Sequence, residues 1–213
     1  MVITASHQKR TKRADAKEAR RQELIQATMK CIARSGLSNT TMAEITQEAG
    51  LSLGIVNLHF QSKENLLQET LRVVSEEYIE GWEKIGHNGK LSSVEKLEAC
   101  IDFDFGPKVC TRDKLAVWFS FWGESKARPA YQKICSGHDE LADGTLRRIL
   151  QDIIDEGGYV SRNADQIVHT YTAMVTGLSL DLLVTPKAMD RNLAKQVCHH
   201  YFVAVFPEHF GSH

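Results

Sequence analysis

Apolar residues recur at three- and four-residue steps along nearly the whole chain. No stretch alternates in the way a half-buried strand requires. A first helix is predicted from about Ala16 to Arg34, with Leu24, Thr28 and Cys31, and beside them Ile25 and Ile32, on one side. Gly36 stops it, as a left-handed residue after a helix does. Thr41-Met42-Ala43-Glu44 reads as a capping box that opens a short helix ending at Ala49-Gly50. Ser52 caps a second short helix, Leu53 to His59, and Ser62 caps a long one through about Lys84, with Glu64 in its first turn. Ser92-Ser93-Val94-Glu95 is another capping box, for a helix to about Phe105 that Gly106-Pro107 breaks. Further helices are predicted near 112–125, 128–156, 163–184 and 187–205, divided by Arg128-Pro129, Gly157-Gly158 and Thr185-Pro186. The predicted fold is all-α: a small three-helix unit at 15–72, then a larger helical body at 73–213.

Composition narrows the class. At 42% apolar and 25% charged residues, the 213-residue chain is neither disordered nor collagen-like nor a disulfide-dense miniprotein. The N-terminus lacks the apolar core of a secretory signal, and no run of about 18 uninterrupted apolar residues occurs, so a cytoplasmic chain without a membrane span is expected. The five cysteines, Cys31, Cys100, Cys110, Cys135 and Cys198, are scattered without a CxxC pair and read as reduced thiols on apolar helix faces.

The formal net charge of −1 conceals an asymmetry. Through residue 72 there are 11 Lys and Arg against 7 Asp and Glu; beyond it, 15 against 20. A basic front on an acidic body suits a chain that meets a polyanion at one end. Residues 1–14 are read as a flexible basic arm. Lys9, Arg10, Lys12, Arg13, Lys17, Arg20 and Arg21 either follow a DNA backbone or groove or form a solvated tail.

The two short helices joined at Gly50, with Ile45, Ala49, Leu51 and Val56 facing inward, have the form of a helix-turn-helix, whose second helix enters a DNA major groove. The stretch TTMAEITQEAGLSLGIVNLHFQSKENLL resembles the N-terminal domain of TetR-family transcriptional regulators, most closely from Phe60 to Leu67. The resemblance implies phosphate contacts from Thr41, His59 and Lys63, and places Ser52, Leu53, Gly54 and Asn57 at the reading surface, the last three facing base edges. Asn57 can pair bidentately with adenine, and Leu53 can touch a thymine methyl. Positions 57 and 58, often Tyr in that family, are Asn57 and Leu58 here; Leu58 cannot donate to a phosphate and is expected to pack instead.

In the body, Leu115, Trp118, Phe119, Phe121 and Trp122 crowd one helix, with Tyr78, Trp82, Phe103 and Phe105 nearby in sequence. These rings either form ordinary core or line a pocket in which a quaternary ammonium is held by cation–π attraction. Trp82, Phe103, Trp118, Phe121, Trp122 and Met174 are the candidate lining, with Asp102, Asp104 and Glu124 as counter-charge. The fragment KLAVWFSFWGESKARPAYQKI resembles the C-terminal domain of the BetI-like, choline-responsive group of that family, and FDF and VTGLSLDLLV fit it more loosely. This implies a small-molecule effector, choline or a related cation being one candidate.

Tyr171 and Leu178 on one late helix and Val197, Tyr201 and Val205 on the next are expected to pair two protomers as a four-helix interface, placing two reading helices on a pseudopalindromic operator in double-stranded DNA. A redox sensor using Cys100 and Cys110 is an alternative. A helical enzyme is another, but no GxSxG, phosphate-loop or HExxH motif is present. Neither cofactor nor metal is expected: His199 and His200 are adjacent on a helix and point about 100° apart, too divergent to share an ion.

Overall fold

Local capping builds the reading unit. The computed structural model describes the backbone of residues 3–210 and the side chains of residues 15–210. Helix α1 (Ile3–Ser35) is followed by α2 (Met42–Ala49), α3 (Leu53–Phe60) and α4 (Lys63–Gly86). The Thr41 hydroxyl accepts from the Glu44 amide at 3.2 Å, and the Glu44 carboxylate accepts from the Thr41 amide at 2.8 Å, the reciprocal bonds of a capping box. Gly50 takes φ 64°, the left-handed conformation that turns α2 into α3. The next turn passes through Gln61 at φ 65° and is held by two Asn65 contacts: its amide donates to Ser62 Oγ and its side chain donates to the Phe60 carbonyl.

The body follows as α5 (Ser93–Asp104), α6 (Arg112–Glu124), α7 (Pro129–Gly157), α8 (Ala164–Val184), α9 (Arg191–Val205) and a final short α10 (Pro207–Phe210). No strand occurs among the described residues, and the all-α expectation holds. Boundaries differ where caps act unseen. The α9 helix starts after Asp190, whose carboxylate accepts from the Leu193 amide, rather than near 187. The arm expected to be flexible is helical from Ile3, as an extension of α1; the side chains of Lys9, Arg10, Lys12 and Arg13 lie outside the described residues.

Two cores hold the chain. The first gathers Leu24, Ile25 and Ile32 of α1, Ile45 of α2, Val56 and Phe60 of α3, and Leu66, Leu67 and Leu71 of α4, and it continues into Val117 and Phe121 of α6 and Tyr131 of α7. The reading unit therefore shares its core with the body. Ring edges seal that joint: Phe121 meets Tyr131 at 4.7 Å between centroids, and the Arg128 guanidinium lies over Tyr131 while bonding Glu64 at 3.2 Å. The second core runs through α5, α7, α8 and α9, centred on Leu97, Leu150, Ile153, Val168 and Phe202, with Phe206 and Phe210 closing its end.

The α8 helix is long and apolar enough in composition to cross a membrane, which the sequence criterion of uninterrupted apolar residues had not flagged. One side of it packs into the body core through Ile167, Val168 and Tyr171.

The α4–α5 packing depends on a missing side chain. A Cβ at Gly81 would lie 2.0 Å from the Phe103 ring, whereas one at Gly144 would meet no atom within 4 Å. Gly81→Ala is expected to cost roughly 1–3 kcal/mol by overpacking, at about 2–4 °C of Tm per kcal/mol for a chain of this size. Gly144→Ala should be neutral or slightly stabilising. Thermal denaturation of the two variants beside the parent checks this.

Candidate DNA-reading helix and ligand cavity

Helix α3 turns Val56 and Phe60 inward and presents Leu53, Gly54, Asn57 and Leu58 outward. Leu58 is 69% exposed, so the expectation that it packs is wrong: α3 is too short to roll this position toward the core once Val56 and Phe60 are buried. Ser52 stands at the N-cap position with extended backbone, but its side chain makes no capping bond, contrary to the expectation that it caps α3. The Thr41 hydroxyl and amide are both engaged by Glu44, so a phosphate there would have to compete with that carboxylate. His59 is half-buried, with Nδ1 enclosed and unpartnered among the described residues. Lys63 opens α4, and no ion pair among the described residues holds it. Of the basic residues on α1, Arg20 pairs with Glu23 at 2.6 Å, and Arg21 is tied to Glu18 and Glu69 with its guanidinium over Phe60. Arg21 is thus a joint between α1, α3 and α4.

Between α4, α5, α6, α7 and α8 lies a cavity of about 120 Å³. That is well above the roughly 10–15 Å³ that admits one water and suits a small organic molecule. Its walls are aromatic: Tyr78, Trp82, Trp118, Phe119 and Tyr171. Asp104, the last residue of α5, reaches it from below, 4% exposed. Three donors converge on that carboxylate. Tyr78 Oη and Trp82 Nε1 donate to Oδ1 at 2.5 and 2.9 Å, and Tyr171 Oη donates to Oδ2 at 2.6 Å. Burial raises Asp104 to about 6 against the pull of those three hydrogen bonds. Burial and the Asp104 charge hold the Tyr78 and Tyr171 hydroxyls well above their ordinary range, so they remain donors.

His138 on α7 is stacked between Tyr78 and Trp118, at 4.7 and 4.2 Å, with Nδ1 3.1 Å from Ser75 Oγ of α4. Burial pushes it down to about 4, so it is a neutral wall at physiological pH. Asp139 and Asp143 stand one helical turn apart nearer the mouth, and Asp143 accepts from Thr172 at 3.1 Å. Lys114 also borders the cavity, but its ammonium is bonded to Glu77 and to the Lys108 carbonyl. Acid without a free base in an aromatic chamber favours a cationic guest.

Of the six residues expected to line a pocket, two border this cavity. Trp82 and Trp118 line the cavity. Phe121 is fully buried in the other core, against Tyr131, and Trp122 is 49% exposed on the outside of α6. The four rings of that helix cover an arc of about 160°, wide enough to meet both the cavity and the first core, so spacing could not say which ring met which. Phe103 lies behind Tyr78 at 5.7 Å, and Met174 packs on the body core; neither faces the cavity. Asp102 is bonded to Lys195 at 2.7 Å and Glu124 to Arg128, so neither supplies the counter-charge. Tyr171, assigned to a subunit interface, is 1% exposed and belongs to the cavity. His138, Asp139 and Asp143 were missed. The signal was the series His138, Ala142, Leu146 beside Asp139, Asp143, which puts polar groups on the inward stripe of α7.

All five cysteines are free and buried. Burial pushes Cys110 to about 11 and Cys100 upward as well, which keeps both protonated and weakly nucleophilic. His209 Nδ1 lies 2.9 Å from Tyr159 Oη, and the His199 ring packs on Phe210.

Two family models match this architecture. Residues 24–70 match the bacterial regulatory proteins of the tetR family, and residues 93–207 match the C-terminal domain of BetI-type transcriptional repressors. The chain belongs to the TetR family, with a BetI-type C-terminal domain. The regulator is 26% identical over 191 residues to the HTH-type transcriptional regulator BetI of Escherichia coli, covering 88% of this chain and 94% of that one. It is 28% identical over 182 residues to BetI 1 of Chromohalobacter salexigens, covering 85% and 88%. In fold it resembles a transcriptional regulator from Pseudomonas aeruginosa PAO1 (TM-score 0.76, 23% identity, 89% and 91% of the chains covered). It also resembles one from Saccharomonospora viridis solved in complex with choline (TM-score 0.73, 21% identity, 86% and 95%). It is a DNA-binding transcriptional regulator and not an enzyme. Tyr78 and Trp82 fall between the two matched spans, on the part of α4 that joins reading unit to body.

Tyr171→Phe removes one of three donors that favour the ionised form of Asp104. Its titration should move above about 6, read by carboxyl-carbon NMR against the parent.

Proposed function

We propose that the regulator is a dimeric repressor that leaves a pseudopalindromic operator when a small organic cation, choline or a close relative, enters the Asp104 cavity. The observation that carries this is a carboxylate enclosed by aromatic rings with three neutral donors and no paired cation among the described residues. A quaternary ammonium has no proton to give, so it needs a full negative charge and ring faces instead of acceptors, and this chamber offers both. Choline in the Saccharomonospora viridis structure supports the same reading. Such a regulator works in the cytoplasm, beside its DNA.

Apolar surface supports the dimer. On α8, Ala173, Gly177, Leu180 and Val184 are exposed at steps of four, three and four residues, and on α9 Leu193, Val197, His200 and Ala204 repeat that spacing. These stripes lie beside the positions first expected. Of those, Val197 is exposed, while Leu178, Tyr201 and Val205 lean half-buried on the protomer's own core. A twofold pairing of the stripes would set the distance between two α3 helices.

Release works through α4. Its Tyr78 and Trp82 hold Asp104, and its first turn, from Ser62, follows directly on α3. A cation that competes for the carboxylate and rings moves α4 relative to α6 and changes that distance. The population shifts only by the cation's differential affinity for the two geometries.

Quenching of Trp82 and Trp118 fluorescence by choline measures binding directly. Affinity should be full well above pH 6 and fall through about 6 as Asp104 takes up a proton; Asp139, which burial also raises to about 6, is separated from it by the Asp104→Asn variant. Asp104→Asn should weaken binding by about tenfold or more, at least roughly 1.4 kcal/mol. In gel shift, the cation should release operator from the parent. If no small cation quenches fluorescence or moves operator binding, the reading is lost.

A further inference from the structure

The outward face of α3 is unusual for a surface that must read bases. It consists of Leu53, Gly54, Asn57 and Leu58, and the whole helix, Leu53-Gly54-Ile55-Val56-Asn57-Leu58-His59-Phe60, contains no Arg, Lys, Gln, Asp or Glu. The common hydrogen-bond partners of guanine and cytosine edges are therefore missing from it. Two leucines stand in water instead, 52% and 69% exposed, five residues and about 140° apart around the helix, with Asn57 and Gly54 on the arc between them. Leaving large apolar side chains exposed forgoes the stabilisation of burying them. Neither is among the buried residues of the core that receives Val56 and Phe60.

One apolar group projects from base edges into the major groove, the C5-methyl of thymine. We propose that Leu58, together with Leu53, reads thymine methyls, that Asn57 between them pairs with an adenine, and that the regulator's half-site is therefore A·T-biased, with Leu58 a specificity-determining residue. The proposal rests on the DNA-binding role of the helix-turn-helix and names what that helix recognises. The occupant is DNA and not another protein because the leucines share one continuous face with Asn57, at the end of the motif marked by Ser52. That face is framed by His59 and by Lys63, which no ion pair engages among the described residues. Phosphate grip comes from those flanking groups, leaving α3 itself electrically neutral apart from His59.

The test uses the full-length protein. Bound fragments are selected from random DNA. In the enriched half-site each thymine is then replaced by uracil, which deletes the C5-methyl and nothing else, and affinities are measured by fluorescence anisotropy at one salt concentration. At one or two positions per half-site the replacement should weaken binding about three- to fivefold, the size set by burying one methyl group. Leu58→Ala, a surface change that leaves the fold intact, should weaken binding to the thymine site by a similar factor. It should also abolish the uracil effect at its own position and leave the salt dependence unchanged. The proposal is overturned if every thymine tolerates uracil, if the enriched half-site is G·C-rich, or if Leu58→Ala leaves the uracil effect at all positions intact. Failure to enrich any sequence would remove the DNA-binding reading itself, and is distinguishable from an enriched site that ignores its methyl groups.

Discussion

A carboxylate buried among aromatic rings sets the terms for the rest of the molecule. Asp104 ends α5 inside the body, where its charge is costly, and burial raises it to about 6. The cost is met by donors from two other helices, Tyr78 and Trp82 on α4 and Tyr171 on α8. A buried acid satisfied by neutral donors remains a site of negative potential, and the cavity beside it can be relieved of that potential by a cation. The same groups that satisfy the buried acid also form the wall of the cavity beside it.

That arrangement matters because α4 belongs to both halves of the chain. Its N-terminal turns bury Leu66, Leu67 and Leu71 with the reading helices, and its later turns carry Tyr78 and Trp82 to Asp104. The first core also takes in Phe121 and Tyr131, so the reading unit is braced against α6 and α7. His138 adds a contact on the cavity side, packed between Tyr78 and Trp118 and facing Ser75 of α4. Packing with the reading helices at one end of α4 and bonds to Asp104 at the other tie one helix into both units.

The fold was largely legible in the sequence because its helices announce their ends chemically. Thr41 with Glu44, Ser92 with Glu95, and Gly50 in the left-handed region all act as their types suggest. The site was less legible, because the rings of α6 span about 160° of its surface and so reach two different interiors. Trp118 and Phe121 differ by three residues, yet Trp118 lines the cavity as well as touching the first core, while Phe121 is buried in that core alone. Tyr171 looked like an interface residue from its stripe alone; its hydroxyl bond to Asp104, 67 residues away, is a tertiary fact. Leu58, expected to pack because it cannot donate to a phosphate, is put in solvent by α3 geometry.

Charge is the decisive variable in this account, and one comparison isolates it. Choline and its neutral carbon analogue, 3,3-dimethylbutan-1-ol, share shape and hydroxyl but differ in the positive charge. Operator release should be measured with both at equal concentration. Choline should release the operator, and the neutral analogue should leave it bound. Equal release by the two would show that shape and apolar burial, not the Asp104 carboxylate, control the regulator.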